Sequence, residues 1–108
     1  MSNNVQPLTD ADFDTAIQEG KWVVHFTSKN CHPCKPVKSI LAQLSNEIPG
    51  VSFAELNANE NLRTVMAQQV SGYPTVIFYV GGRPVDLLYG SKSAATYHTK
   101  AEALANRN

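Results

Sequence analysis

A pair of cysteines three residues apart, Cys31 and Cys34, separates a continuous apolar run from a stretch of helical periodicity. The run at 22–26 is rich in β-branched and aromatic residues, which is typical of a strand covered on both faces. Over 37–48 apolar residues recur at helical spacing, as far as a Pro-Gly pair that would stop a helix. Pro36 suits a first helical turn, where its missing N–H is no loss. The sequence therefore predicts a buried central strand and a long helix that begins near Cys34.

The rest of the chain alternates between strand and helix patterns. Further strands are predicted near Val5 and at 51–56, 75–80 and 84–89. Further helices are predicted around 13–17, 62–66 and 94–104. In the second of these helices, Leu62, Val65 and Met66 are predicted to form the buried face.

The order of these elements predicts the fold class. The last two strands are joined through Gly81-Gly82, which predicts an antiparallel hairpin, whereas strands separated by helices favour parallel pairing. No repeat or linker-like segment divides the 108 residues. We therefore expect a single domain, residues 1–108, of the α/β class, with a central mixed sheet of four or five strands flanked by helices on both faces.

Charge and hydropathy exclude several classes of partner. Nine basic and nine acidic residues give a formal charge of zero, which predicts no binding to nucleic acid or to anionic membranes. The longest apolar stretches are far shorter than the roughly 20 residues that cross a bilayer. The first residues lack the basic and apolar regions of a secretory signal, so a chain from which no signal has been removed is expected in the cytoplasm. We also expect the chain to be a monomer.

The cysteine pair points to redox chemistry. At the start of a helix, first-turn N–H groups and the positive end of the helix dipole favour negative charge on the first sulfur. We therefore predict Cys31 as the nucleophile and Cys34, one turn further on, as the resolving thiol. The reaction needs no cofactor beyond the Cys31–Cys34 disulfide itself. By spacing alone the pair would also serve as half of a metal site, which needs two more ligands.

Four ordered landmarks of this chain resemble the thioredoxin family. They are the apolar run at 22–26, the motif 31–35 (Cys-His-Pro-Cys-Lys), the segment 72–75 (Gly-Tyr-Pro-Thr) and the Gly81-Gly82 hairpin. The resemblance implies a thioredoxin fold and a protein-disulfide oxidoreductase that acts on oxidised client proteins and is recycled by a thioredoxin reductase. Because the residues around the cysteines depart from the family pattern, a glutathione system is the alternative. It also implies that Pro74 is a cis-proline beside the sulfurs, that the Tyr73 backbone pairs with the client, and that Gly90 allows close client approach.

The residues around the cysteines depart from the family pattern. Thioredoxins usually carry Gly-Pro between the cysteines and tryptophan before them, where this chain has His32-Pro33 and Asn30. A protonated His32 would stabilise the Cys31 thiolate, and the alternative is an exposed histidine with little effect. Lys35 would add positive potential, or is simply a solvated helix lysine.

His25 takes the position at which thioredoxins commonly bury an aspartate beneath the resolving cysteine. The family's partner lysine is Glu55 here, so the buried acid with a basic neighbour becomes a buried base with an acidic neighbour. One hypothesis is that His25 exchanges a proton with Cys34, for which an imidazole with an ordinary pKa of ~6.5 is suited. The alternative is a core histidine satisfied by a backbone carbonyl or by Glu55.

Two other functions compete with thiol–disulfide exchange. The first is a thioredoxin-like interaction module in which the thiols take no part. The second is a metal or iron–sulfur site formed by Cys31 and Cys34 across a dimer interface.

Overall fold

A computed structural model describes residues 4–107. Residues 1–3, which belong to the segment predicted to lack a secretory signal, and residue 108 lie outside the described part. The strands are β1 (Val5–Leu8), β2 (Lys21–Thr27), β3 (Ser52–Asn57), β4 (Thr75–Val80) and β5 (Arg83–Tyr89). The helices are α1 (Phe13–Ile17), α2 (Cys34–Ser45), α3 (Leu62–Ala67) and α4 (Ala94–Ala105). A 3₁₀ turn, Ala58–Glu60, follows β3.

The strands form one mixed sheet in the order β1-β3-β2-β4-β5. Strands β1, β3 and β2 are parallel, whereas β4 is antiparallel to both β2 and β5. The sheet confirms the predicted α/β class and has the larger of the two predicted strand numbers. No helix within residues 4–107 is long and apolar enough to cross a membrane.

The central strand β2 carries core side chains on both faces of the sheet. Val24 and Phe26 belong to the core under α1 and α3, whereas Val23 packs in the core under α2 and α4. This division explains why the strand reads as a continuous apolar run. Because side chains alternate along a strand, His25 lies on the same face as Val23 and points toward α2 and α4.

Two details of the helices differ from the prediction. Helix α2 ends at Ser45, but the Ile48 N–H bonds the Leu44 carbonyl in a final turn, and Ile48 stays buried. The apolar periodicity therefore runs past the helix end. The predicted face of α3 was wrong, because the Leu62 and Met66 side chains are 62% and 77% exposed.

Helix α3 buries Thr64 together with Val65. The Thr64 backbone N–H donates to Asp10 Oδ1 at 2.8 Å, which ties the first turn of the helix to the loop after β1. A polar contact of this kind sets which face of a six-residue helix is buried, whatever the apolar pattern of the helix.

Candidate active site

The two sulfurs lie at the N-terminus of α2 and form a disulfide bond, with the Cα atoms 5.3 Å apart. The Cys34 N–H donates to the Cys31 carbonyl at 3.2 Å, so the helix begins within the motif, as predicted. Cys31 is partly exposed, whereas Cys34 is buried. Only one of the two sulfurs is therefore open to a disulfide of another protein.

Asn30 turns the chain into the motif with a φ of +60°. Asparagine adopts this left-handed conformation more readily than most residues, because its short polar side chain tolerates it. The replacement of the family's usual tryptophan thus has a backbone role that residue type alone did not reveal. The asparagine also lines a cleft of about 300 Å³ beside the sulfurs.

His32, Pro33 and Lys35 surround the disulfide on its solvent side, and all three are exposed. Within residues 4–107 the His32 and Lys35 side chains form no hydrogen bond or ion pair, and both line the cleft beside the sulfurs. The structure thus places these residues at the site, where their effect on the Cys31 thiolate stays a prediction.

The segment before β4 lies at the same end of the sheet as the cysteines. Thr75 pairs with Phe26 near the end of β2, so Tyr73 and Pro74 lie beside the loop that leads to Cys31. The Tyr73–Pro74 peptide bond is cis. The Gly90 N–H donates to the Pro74 carbonyl at 2.9 Å, which holds the end of β5 against this segment.

Gly90 has a φ of +83°, and a Cβ atom built on it would meet no atom within 4 Å. The backbone conformation favours glycine, and the space above it is open to an approaching chain. The Gly90 carbonyl accepts a hydrogen bond from Tyr97 Oη at 3.3 Å.

Gly72 is the tightest glycine of this region. A Cβ atom on it would overlap Tyr89 Oη and would lie 2.7 Å from Tyr89 Cε1. The exposed Tyr89 ring on β5 therefore covers Gly72 and stands beside the Tyr73–Pro74 segment. The sequence did not single out Tyr89, since an aromatic residue at a strand end is a common packing residue.

We expect the substitution Gly72→Ala to cost about 1 kcal/mol of unfolding free energy, because the added methyl displaces a ring with room to move outward. Urea denaturation of Gly72→Ala, Tyr89→Ala and the double variant measures this contact. In the Tyr89→Ala background the cost of Gly72→Ala should disappear; an unchanged cost would show that the ring does not press on this position.

His25 is 1% exposed, and neither ring nitrogen has a hydrogen-bond partner among the described residues. Its backbone neighbours are Glu55 on β3 and Val76 on β4. Burial, and to a lesser degree the positive charge of Lys38, lowers the pKa of His25 to about 4. The expected alternative, a core histidine bonded to a carbonyl or to Glu55, is therefore not what the structure shows.

A cavity of about 210 Å³ lies beside His25, between α2 and the β1-β3-β2 side of the sheet. Its polar walls are His25, Glu55 and Lys38, and Lys38 Nζ lies 3.6 Å from Glu55 Oε2. Sequence reasoning identified Glu55 but missed Lys38. The signal was present, because Lys38 stands four residues after Cys34 and hence one helical turn away on α2.

No cluster of three or more His, Cys, Asp or Glu side chains able to hold a metal ion occurs in the part of the chain at 4–107. The metal interpretation therefore gains no further ligands from the described residues. Members of the family that the four sequence landmarks resemble normally work without a cofactor.

An accessible sulfur bonded to a buried one at a helix N-terminus defines a thiol–disulfide oxidoreductase. Comparison with known proteins specifies the class further. The thioredoxin family model matches residues 4–103. A thioredoxin of Staphylococcus aureus strain Mu50 is 34% identical over 84 residues, which cover 77% of this chain and 81% of the relative. The thioredoxin of strain N315 is equally similar.

The fold has a solved counterpart. The crystal structure of a thioredoxin from Malassezia sympodialis matches with a TM-score of 0.85, covering 95% of this chain and 92% of that chain at 19% identity. The chain belongs to the thioredoxin family, and its Cys31–Cys34 pair is that of a disulfide oxidoreductase acting on disulfide-containing clients.

Proposed function

We propose that the reduced chain reduces protein disulfides, with Cys31 as nucleophile and Cys34 as resolving thiol. The Cys31 thiolate attacks one client sulfur, so that a mixed disulfide forms and the other client sulfur leaves as a thiolate. Cys34 then loses its proton and attacks Cys31. The Cys31–Cys34 bond forms, the second client thiolate leaves, and the client has gained the two electrons that the chain has lost.

Accessibility supports this division of roles. Cys31 is open to solvent at the helix N-terminus, where charge on its sulfur is favoured, whereas the buried Cys34 is reached only from Cys31. The cis Tyr73–Pro74 segment and Gly90 form the neighbouring surface, on which we propose that an extended client segment lies. We propose that the exposed His32 and Pro33 contact the client as well.

The observation that carries the proposed mechanism is the buried, unpartnered imidazole of His25. Cys34, Val37 and Leu41 lie at positions i, i+3 and i+7 of α2 and so share its buried face. His25 points at this helix from β2 and lines the adjoining cavity with Leu41. With its pKa lowered to about 4, the imidazole is deprotonated at neutral pH. We propose that it takes the Cys34 proton as the Cys34–Cys31 bond forms, because an imidazole with this low pKa is too weak a base to ionise a resting thiol, and that it then releases the proton to the departing client thiolate or to solvent.

Single-turnover reduction of a model disulfide tests the role of His25. We expect His25→Ala to slow release of the mixed disulfide by about 10²-fold, because a positioned base is lost, while the first attack by Cys31 is little changed. His98→Ala is the matched control, since His98 lies on α4 and pairs with Glu102. An unchanged pH–rate profile for release in His25→Ala would contradict proton transfer.

We further propose that a flavin-containing thioredoxin reductase returns electrons to the oxidised chain. Support comes from family membership and from the 34% identity to a bacterial thioredoxin. NADPH consumption with such a reductase, measured beside reduction by glutathione alone, tests the partnership. Faster reduction by glutathione than by the reductase would assign the chain to the glutathione system.

A further inference from the structure

Glu55 lies next to His25 in the sheet, but its carboxylate pairs with Lys38. The two are direct neighbours in the parallel register of β2 and β3, and both line the cavity of about 210 Å³. A carboxylate next to an imidazole ordinarily accepts a hydrogen bond from it and favours its charged form. Here His25 has no such bond among the described residues, and Glu55 Oε2 lies 3.6 Å from Lys38 Nζ.

Lys38 is shared by the surroundings of the sulfurs and of the imidazole. It lines both the cleft that contains Cys31 and Cys34 and the cavity that contains His25. Its side chain is 68% exposed, so the ion pair with Glu55 closes the cavity from the solvent side rather than forming part of the core. As a surface ion pair it contributes little to stability, on the order of 0–1 kcal/mol. Its position suggests a different role.

We propose that Lys38 is a positioning residue for disulfide exchange: it engages Glu55 and so keeps that carboxylate off His25, which stays an uncharged, unbonded proton acceptor beside α2. The inference rests on the proposed role of His25 and adds the two residues that maintain it. Among the described residues that line the cavity, Glu55 has the one carboxylate, so we expect it to turn toward the imidazole when Lys38 is removed.

The other groups around His25 do not compete with this pair. Helix α2 contributes Lys38, Leu41 and Ala42 to the cavity, and β3 contributes Glu55. Strand β1 contributes the apolar Val5 and Pro7 to the cavity, and the β4 neighbour of His25 is Val76. The protonation of His25 is governed by burial and by the positive charge of Lys38, and we expect it to depend as well on the partner that Glu55 takes.

Titration of the His25 ring protons by NMR measures the proposed effect directly. In Lys38→Met we expect the midpoint for His25 to rise by about one pH unit or more, which is a tenfold or larger gain in proton affinity. Lys38→Arg keeps the ion pair and should keep the low midpoint. Lys100→Met is the matched control: it removes a lysine of the same charge that pairs with Asp86 at 2.8 Å, on α4.

Adding Glu55→Gln to Lys38→Met separates the carboxylate from the lysine's own charge. The double variant should return the His25 midpoint most of the way toward the wild-type value. If the midpoint stays as high as in Lys38→Met, Lys38 acts by its own charge alone and the proposed engagement of Glu55 is overturned. A midpoint unmoved by Lys38→Met overturns it as well.

Release of the mixed disulfide supplies the second readout. In Lys38→Met the acidic limb of its pH–rate profile should move to higher pH with the NMR midpoint, because protonated His25 accepts no proton. A shifted midpoint with release rates unchanged in both Lys38→Met and His25→Ala would contradict proton transfer by His25, and with it the assignment of Lys38 to the exchange reaction. The failure of the underlying mechanism is thus distinguishable from the failure of the Lys38–Glu55 contact.

Discussion

Replacement of Cys31 by serine is expected to lower the rate of insulin disulfide reduction by at least about 10³-fold, because the only accessible sulfur of the pair is lost. Cys34→Ser should fail differently. It retains the nucleophile but cannot resolve the intermediate, so a covalent complex with the client should accumulate. Non-reducing electrophoresis after mixing with an oxidised client measures that complex.

The same pair of variants tests the competing function as an interaction module. Equal, near-zero rates for wild type and Cys31→Ser, with client binding retained in both, would favour that function over exchange. A trapped complex in Cys31→Ser but not in Cys34→Ser would reverse the assigned roles of the two cysteines.

Acidification is expected to destabilise the fold through His25. In the unfolded chain an imidazole binds a proton below its ordinary pKa of ~6.5, whereas in the folded chain His25 does so only below about 4. Between these values the unfolded state binds more protons, so the free energy of unfolding falls as the pH falls. The full contribution of the neutral imidazole is present above pH 6.5, and below about pH 4 no further loss arises from this group.

A pKa difference of this size corresponds to roughly 3 kcal/mol. Urea denaturation of wild type and His25→Leu at pH 7.5 and pH 4 measures it, since carboxylates that also titrate in this range cancel between the two proteins. The wild type should lose roughly 3 kcal/mol more than the variant over this interval. Equal losses would show that His25 titrates alike in both states. NMR titration of the folded wild type gives the same answer if the variant does not fold.

Much of the architecture was predictable because the apolar patterns are strong. The run at 22–26 and the helical periodicity after Cys34 correspond to β2 and α2, and the turn glycines correspond to the β4-β5 hairpin. Helix α2 was predicted too long because Ile48 continues the pattern in a turn beyond it. Short elements were less predictable. In α3 the Thr64 N–H bonds Asp10, and the helix buries Thr64 with Val65 while the apolar Leu62 and Met66 stay exposed.

The candidate site was only partly predictable. The cysteines, His25 and Glu55 could be found because spacing along the chain or resemblance to a family identifies their positions. Tyr89 could not, because it matters through Gly72, which is distant in sequence. Lys38 could have been found as a residue one helical turn from Cys34, but its ion pair with Glu55 could not. That the His25 ring has no hydrogen-bond partner among the described residues was also beyond prediction, since it depends on which groups the fold brings to a buried side chain.

The first described residues of the chain line the cavity beside His25. Asn4 is hydrogen-bonded to Ser45 at the end of α2, and Val5 and Pro7 of β1 form one wall of the His25 cavity. Removal of β1 would take away this wall, so water would reach the imidazole and the pKa of His25 would return toward its ordinary value. An affinity tag placed after α4 would leave this wall of β1 intact, and we expect disulfide exchange at Cys31 and Cys34 to be unchanged.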